Sequence, residues 1–295
     1  MAKNNCLILH RKSANRPEVK EAVRAVRAKG IKLRVRIPWN KKDKPRVVRE
    51  ALAAGAVRVI AGGGDGTLNA VADALVGDGS KTPKAAMGIL PLGTANDFAH
   101  GCKLPVEDLA ACLEIACTRD PRPIDVGRMN GESFINVASG GFGAEITATT
   151  PVEMKKRLGG AAYTIMGLIK AFDLKPYEGT FEAPGESPVR GSMLFMAVGN
   201  NRLAGGGFDV APEATLDDGL LDVAMIRHRE GSAMGKLAQE LKNPTDPANE
   251  IVLYRQLPAF TIEADEAFHM NLDGEPNLAH RFEFSMLTRH LEVVY

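Results

Sequence analysis

In the N-terminal part of the chain, short apolar runs alternate with segments whose apolar positions recur every three or four residues. Cys6 to His10 reads as a strand. Pro17 to Lys29 reads as a helix with Val19, Ala22, Val23 and Val26 on one face, Pro17 at its first position and Gly30 as its stop. Ile31 to Ile37 alternates as a strand, and Arg46 to Ala54 is a second helix. Val57 to Ala61 is a buried parallel strand that leads through glycines into the helical face of Leu68, Val71, Ala72 and Leu75. A further strand at Ala85 to Leu90 and a helix at Val106 to Cys117 follow. This rhythm predicts an α/β domain, a parallel sheet with helices on both faces.

After Pro123 the rhythm changes. Extended runs are predicted at Ile124 to Met129, Ser133 to Ala138, Gly191 to Gly199, Leu220 to Arg227, Ile251 to Leu257, Phe260 to Ala264, Phe268 to Leu272 and Arg281 to Ser285. Helix is sparse, with candidates at Leu158 to Phe172 and Ser232 to Lys242, and Glu182 to Pro188 reads as a hairpin loop. Successive strands with turn signals predict a mainly antiparallel β-sandwich. The expected division is residues 1–125 and 126–288; a last extended run, Leu291 to Tyr295, either rejoins the first domain, completing it with residues 289–295, or stays with the second, and the sequence leaves both open.

The chain has 295 residues and a net charge of +1, so no strong positive field points to nucleic acid. No apolar run is long enough to span a bilayer, and the N-terminal MAKNNCLILHRKS reads as a first strand rather than a secretory leader. Cys6, Cys102, Cys112 and Cys117 lack paired ligand spacing, which argues for reduced thiols and against zinc. The histidines show no metal spacing either. A cytoplasmic protein, peripheral at most at the inner membrane, is expected.

The densest signal is Gly62-Gly63-Gly64-Asp65-Gly66-Thr67 at the end of a predicted strand. Glycines there let backbone N–H groups approach a phosphate, and Thr67 can cap the following helix. Asp65 suits a phosphate that arrives with a cation, or a loop that the carboxylate itself orders. There is no Walker A sequence and no third glycine of the dinucleotide fingerprint. A second polar turn, Gly93-Thr94-Ala95-Asn96-Asp97, opens at another strand end. Thr94 and Asn96 can bond a nucleotide and Asp97 a cation or a hydroxyl; the plainer alternative is a helix cap. Two further acidic turns lie in the second domain. Thr215 to Leu220, with Asp217 and Asp218, suits a hard cation or a simple hairpin turn. Asn271 to Pro276 places Asp273 and Glu275 on one face if extended, a pairing that can raise a carboxylate pKa toward that of a general base, though spacing alone favours a plain Asp-Gly turn at a strand end.

Gly63-Gly64-Asp65-Gly66-Thr67 with Asn69, Leu92 to Ala99, Asp217-Asp218-Gly219-Leu220 and Leu272-Asp273-Gly274-Glu275 occur in one order. That set resembles the diacylglycerol-kinase catalytic family, in its bacterial YegS-like lipid kinase branch, as do Ala204 to Gly207 and Thr150-Pro151. The resemblance implies an ATP-dependent lipid kinase with its active site between the domains. ATP would lie on Gly63, Gly64, Asp65, Gly66, Thr67, Leu68 and Asn69, near Thr94 and Asn96. Mg²⁺, or Ca²⁺ or another divalent cation, would be held by Asp218 and the carbonyls of Thr215 and Leu220. Glu275 would be the base, with Asp273 and Asp97 as its catalytic companions. A lipid with a free hydroxyl and a transient membrane surface would be the partners. Two departures stand out, Ala70 where the family usually has Glu and Pro38 where close relatives have Thr before Trp39; by the resemblance each would remove a side-chain contact near the nucleotide. An NAD kinase-like enzyme and a non-catalytic nucleotide or lipid sensor are the competing readings.

Overall fold

The computed structural model describes residues 4–140, 176–228, 234–272 and 275–295. The N-terminal half contains β1 (Asn5–Leu9), α1 (Pro17–Ala28), β2 (Leu33–Arg36), α2 (Lys44–Ala53) and β3 (Arg58–Gly63). It continues through α3 (Asp65–Val76), β4 (Ala86–Pro91), α4 (Asp97–Gly101) and α5 (Leu109–Thr118). Strands β2, β1, β3 and β4 lie side by side and parallel. Every residue of β3 and β4 is buried, as expected for parallel strands covered by helices on both faces. In α1 the predicted face is the buried one, Pro17 occupies the first turn, and Gly30 follows the helix with φ of 78°. Helix α5 starts later than the apolar pattern suggests because the Asp108 carboxylate accepts the Ala111 N–H at 2.9 Å and caps it there.

The second half contains β5 (Arg122–Met129), β6 (Glu132–Phe134), β7 (Val137–Gly140), β8 (Tyr177–Glu182), β9 (Val189–Gly199), β10 (Leu203–Ala204) and β11 (Phe208–Asp209). Then come β12 (Leu221–Arg227), α6 (Met234–Glu240), β13 (Val252–Leu257), β14 (Ala259–Leu272) and β15 (Glu275–Val294). Met196, Val198, Leu221 and Val223 from one side meet Phe260, Ile262, Phe268, Phe282 and Phe284 from the other in one sandwich core. The Phe260 and Phe284 rings stack at 4.6 Å. The predicted hairpin is the β8–β9 connection, closed by the Glu186 N–H donated to the Ala183 carbonyl at 3.1 Å. The predicted helix at Leu158 to Phe172 and the Thr150-Pro151 pair lie outside the described residues.

Two pairs of predicted strands are each one strand. Phe260–Ala264 and Phe268–Leu272 join as β14 through a bulge between Glu263 and Phe268. Arg281–Ser285 and Leu291–Tyr295 join as β15, which pairs antiparallel with β14 and β5 and then parallel with β4 at Val293 and Val294. The register shifts between Leu287 and Leu291, and Arg289 takes φ of 48°. The last residues thus belong to the hydrophobic core of the N-terminal sheet, where Leu291 and Val293 are fully buried.

Leu291→Ala should therefore destabilise the core of the N-terminal sheet by about 2–5 kcal/mol. Urea unfolding followed by circular dichroism checks this; a loss below about 1 kcal/mol would show that the C-terminal strand is dispensable to that core.

Candidate functional site

The two glycine turns sit at the carboxyl ends of adjacent strands β3 and β4, the place where ligands bind open α/β sheets. They touch through backbone. A Cβ on Gly93 would lie 2.5 Å from the Gly64 Cα, and one on Gly64 would lie 3.0 Å from the Gly93 Cα. The Leu92 N–H donates to the Gly63 carbonyl at 2.8 Å and keeps them in register. Gly63 is also required by its own loop, since a Cβ there would meet Thr67 at 2.5 Å.

Thr67 does not cap α3, whose N-cap is Gly64 with no side-chain bond. It is buried in the first turn, and its Oγ1 accepts from the Lys44 ammonium at 3.4 Å. Lys44, 5% exposed, thus brings its amine to the first turn of α3, which the glycine turn opens. Sequence reasoning missed it, yet the signal was there. A lysine stands at position 44 of a helix whose other buried residues are Val47, Val48 and Ala51, and a lysine on an apolar stripe needs a buried partner. Asn69, one turn further, has a buried side-chain oxygen with no hydrogen-bond partner. Leu68 is in the core and Gly66 is exposed.

Asp65 reaches across to the second turn. Its carboxylate accepts the N–H groups of Asp97 at 3.2 Å and Phe98 at 3.0 Å, the first residues of α4. Burial pushes its pKa above the ordinary carboxylate value; these N–H groups oppose the shift and the nearby Asp97 adds to it. Asp97 in turn is 3% exposed and accepts from the second half of the chain. Gly206 N donates at 2.9 Å and Gly207 N at 2.6 Å, from the glycine turn between β10 and β11. Gly206 and Gly207 have φ of 92° and 95°, a region glycine tolerates, so their N–H groups can converge on one carboxylate. Asn96 closes its own turn, accepting from Gly93 N at 2.8 Å and donating to the Gly93 carbonyl at 3.1 Å, with φ of 52°. Thr94 is exposed beside it. Gly101 ends α4 against Asn201, whose amide nitrogen lies 2.4 Å from where a Cβ would be.

A second buried carboxylate holds the acidic turn of residues 215–220. Asp125 accepts Gly219 N at 2.6 Å and Arg289 N at 2.5 Å and donates its own N–H to the Leu216 carbonyl at 2.6 Å. Asp218 is exposed and accepts the Leu220 N–H at 2.9 Å. Among the described residues no group of three or more His, Cys, Asp or Glu is arranged to hold a metal. The donors here are of a different kind: one carboxylate plus the turn's carbonyls, all hard oxygens suited to Mg²⁺ or Ca²⁺. Close in sequence, Asp222 is fully buried with one carboxylate oxygen unpartnered, while Tyr254 Oη donates to the other at 2.5 Å. Burial pushes Asp222 up to about 6, against the Tyr254 and Gln256 hydrogen bonds, with Asp218 adding to the rise. The oxygen donors of the turn are of the kind a divalent cation takes, and Asp222, two residues beyond it, keeps one carboxylate oxygen free. Asp273, Gly274 and the Glu275 side chain lie outside the described residues; the Glu275 backbone opens β15 opposite Leu272.

The four cysteines are free and buried. Burial raises the Cys112 and Cys117 thiols to about 11 and Cys102 further, so none is a ready nucleophile.

An α/β domain carrying paired glycine turns, joined to a β-sandwich carrying acidic turns, defines a diacylglycerol kinase-like fold. Residues 5–129 match the diacylglycerol kinase catalytic domain, and residues 136–295 match the YegS C-terminal NAD kinase beta sandwich-like domain. A Chromohalobacter salexigens protein named "Probable lipid kinase YegS-like" is 46% identical over 283 residues, 95% of this chain and 89% of that one. One of the same name from Pseudomonas aeruginosa is 42% identical over 97% of this chain and 92% of its own length. A Bacillus anthracis structure titled "A putative diacylglycerol kinase" superposes with a TM-score of 0.80 at 20% identity, covering 99% of this chain and 97% of that one. The chain belongs to the YegS-like lipid kinase family, and it is a kinase.

Asp97→Ala should leave the Gly206 and Gly207 N–H groups without their acceptor, at about 1–3 kcal/mol each. Hydrogen exchange should show the residue 204–207 turn losing protection; unchanged protection would mean that the carboxylate does not hold it. Asp65 carries a pH signature. Its folded pKa is raised, so above about pH 4 the folded state binds more protons than the unfolded one and stability falls as pH rises toward the folded value. Asp65→Asn should flatten that fall in urea midpoints measured from about pH 4 to 7. An identical slope in both proteins would remove Asp65 as its source.

Proposed function

We propose that the protein transfers the γ-phosphoryl group of ATP to a hydroxyl of a glycerolipid or phospholipid, in the cleft between the glycine turns and the acidic turns. The observation that carries this reading is the pair of glycine turns locked backbone to backbone above a buried ammonium. Backbone N–H groups, a helix N-terminus and a cation are the elements that bind a polyphosphate. Gly63 to Asn69 hold the nucleotide, with Thr94 at the rim and Asn96 keeping its turn closed. Lys44 supplies charge from below; Pro38 and Ala70 stand where the family pattern has side-chain contacts, and Lys44 offsets part of that loss.

Phosphoryl transfer requires positioning, charge neutralisation and a proton acceptor. Asp218 and the carbonyls of Thr215 and Leu220 would hold Mg²⁺, Ca²⁺ or another divalent cation, which supplies charge neutralisation when bound. Glu275, with Asp273 beside it, accepts the proton of the lipid hydroxyl. Asp97 acts by fixing the residue 204–207 turn at the edge of the cleft. Among the described residues no helix is long and apolar enough to cross a membrane, so the lipid is met at a bilayer surface by reversible contact. Incubation with labelled ATP, Mg²⁺ and a panel of hydroxylated lipids, with NAD as the competing acceptor, tests the reading. Phosphate on NAD alone, or on nothing, would overturn it.

Lys44→Met should weaken ATP about tenfold to a hundredfold by calorimetry, while AMP binding changes little, because the charge faces the phosphates. Equal losses for both nucleotides would show a general defect of the loop instead. Glu275→Gln should lower kcat by about 10²–10⁴ with ATP affinity unchanged. Wild-type turnover in that variant would remove Glu275 from the mechanism.

A further inference from the structure

The β-sandwich contains a cavity of about 390 Å³, within the range of small-ligand sites. It opens between the edge strand β13 and strand β8, and β9, β12 and β14 complete its wall. Tyr177, Phe181, Met193, Met225, Leu253 and Ile262 give it an apolar lining. These side chains adjoin the sandwich core, yet the space between them is not filled.

Two glycines face each other across the β8–β9 ladder, and they differ. A Cβ on Gly179 would meet the Glu263 carbonyl oxygen at 2.6 Å, so backbone approach demands that glycine. A Cβ on Gly191 would meet nothing within 4 Å, and its φ is not left-handed. No local geometry requires glycine there; its effect is to leave the mouth of the cavity open.

The polar groups of the lining are also unequal. Arg190 pairs with Asp265 at 2.5 Å, and Arg255 pairs with Glu186 while lying 6.0 Å from the Phe181 ring centroid. Asp246 accepts the Ala248 N–H at 2.9 Å. Arg227, at the end of β12 opposite Met193, is half-buried and makes no ion pair among the described residues. A partly desolvated guanidinium beside apolar walls favours an anion.

We propose that this cavity binds a single-chain amphiphile, its alkyl chain among Tyr177, Phe181, Met193, Leu253 and Ile262 and its anionic head group on Arg227. The site is distinct from the kinase cleft. Along β9, Ser192 at the cavity and Gly199 beside the acidic turn are seven residues apart, roughly 20 Å at a strand's rise. A head group held on Arg227 therefore lies too far from the acidic turn to be the group that is phosphorylated, and the proposal does not depend on which hydroxyl the kinase uses.

The test is calorimetry on the full chain without nucleotide, with dodecyl phosphate, dodecyltrimethylammonium and inorganic phosphate, each below micelle formation. Dodecyl phosphate should bind saturably at one site, inorganic phosphate should not, and dodecyltrimethylammonium should bind at least about tenfold more weakly. Gly191→Trp should abolish dodecyl phosphate binding by filling the mouth, with thermal unfolding and kinase turnover unchanged. Arg227→Gln should weaken dodecyl phosphate about tenfold or more and leave the cationic probe unaffected, which keeps the test decisive if the tryptophan variant fails to fold. Absence of saturable binding, equal binding of both charged probes, or binding that survives both substitutions would overturn the proposal.

Discussion

The Asp97 carboxylate is buried at the junction of the two halves of the chain, and the contact between them depends on what it bonds. Its oxygens receive backbone N–H groups from Gly206 and Gly207, while its own N–H, with that of Phe98, is held by Asp65. The order is therefore Asp65 to the start of α4, then Asp97 to the far glycine turn. A buried carboxylate is costly unless its lone pairs are filled, and backbone donors fill them without the rotamer freedom of a lysine or arginine. The link is correspondingly stiff. Gly206 and Gly207 serve the link through their positive φ of 92° and 95°, a backbone conformation that L side chains rarely adopt.

Asp125 makes the second such tie. It joins the turn of residues 215–220 to Arg289, at the point where β15 shifts register on its way from the sandwich to the parallel sheet. β15 pairs with β14, β5 and β4 in turn, so backbone hydrogen bonding runs without a break from one half to the other. Relative movement of the halves would strain this strand and both carboxylate ties. A phosphoryl-transfer site gains from that stiffness, because its work is to hold groups in line.

Buried polar atoms without a protein partner occur in both halves of the chain, and Asn200 and Asn201 carry two of them next to the Asp125 tie. The buried side-chain oxygens of Asn69, Asn136 and Asn200, the Asn201 amide nitrogen and one Asp222 oxygen all lack protein partners. Asn200 nonetheless donates to the carbonyls of Asp125 at 3.1 Å and Ile135 at 3.0 Å, so it is anchored on one side and open on the other. Buried polar atoms elsewhere in folded proteins are nearly always satisfied.

The sequence by itself determined the α/β half, the β-rich half and the two glycine turns at strand ends. Those signals are local: a 3.6-residue apolar face, a continuous buried run, or a cluster of glycines reports the backbone conformation of the residues that carry it. It also showed Asp65, Asp97 and Asp218 as polar residues in turns. What they bond was decided only by tertiary structure, because the partners are distant in the chain: Phe98 for Asp65, Gly206 and Gly207 for Asp97. The same holds for Lys44 under Thr67 and for the return of Val293 to β4. A strand of alternating residues looks the same wherever it pairs, and a buried lysine or carboxylate has no local mark of its partner. Proximity across the fold, rather than spacing along the chain, assigns those roles.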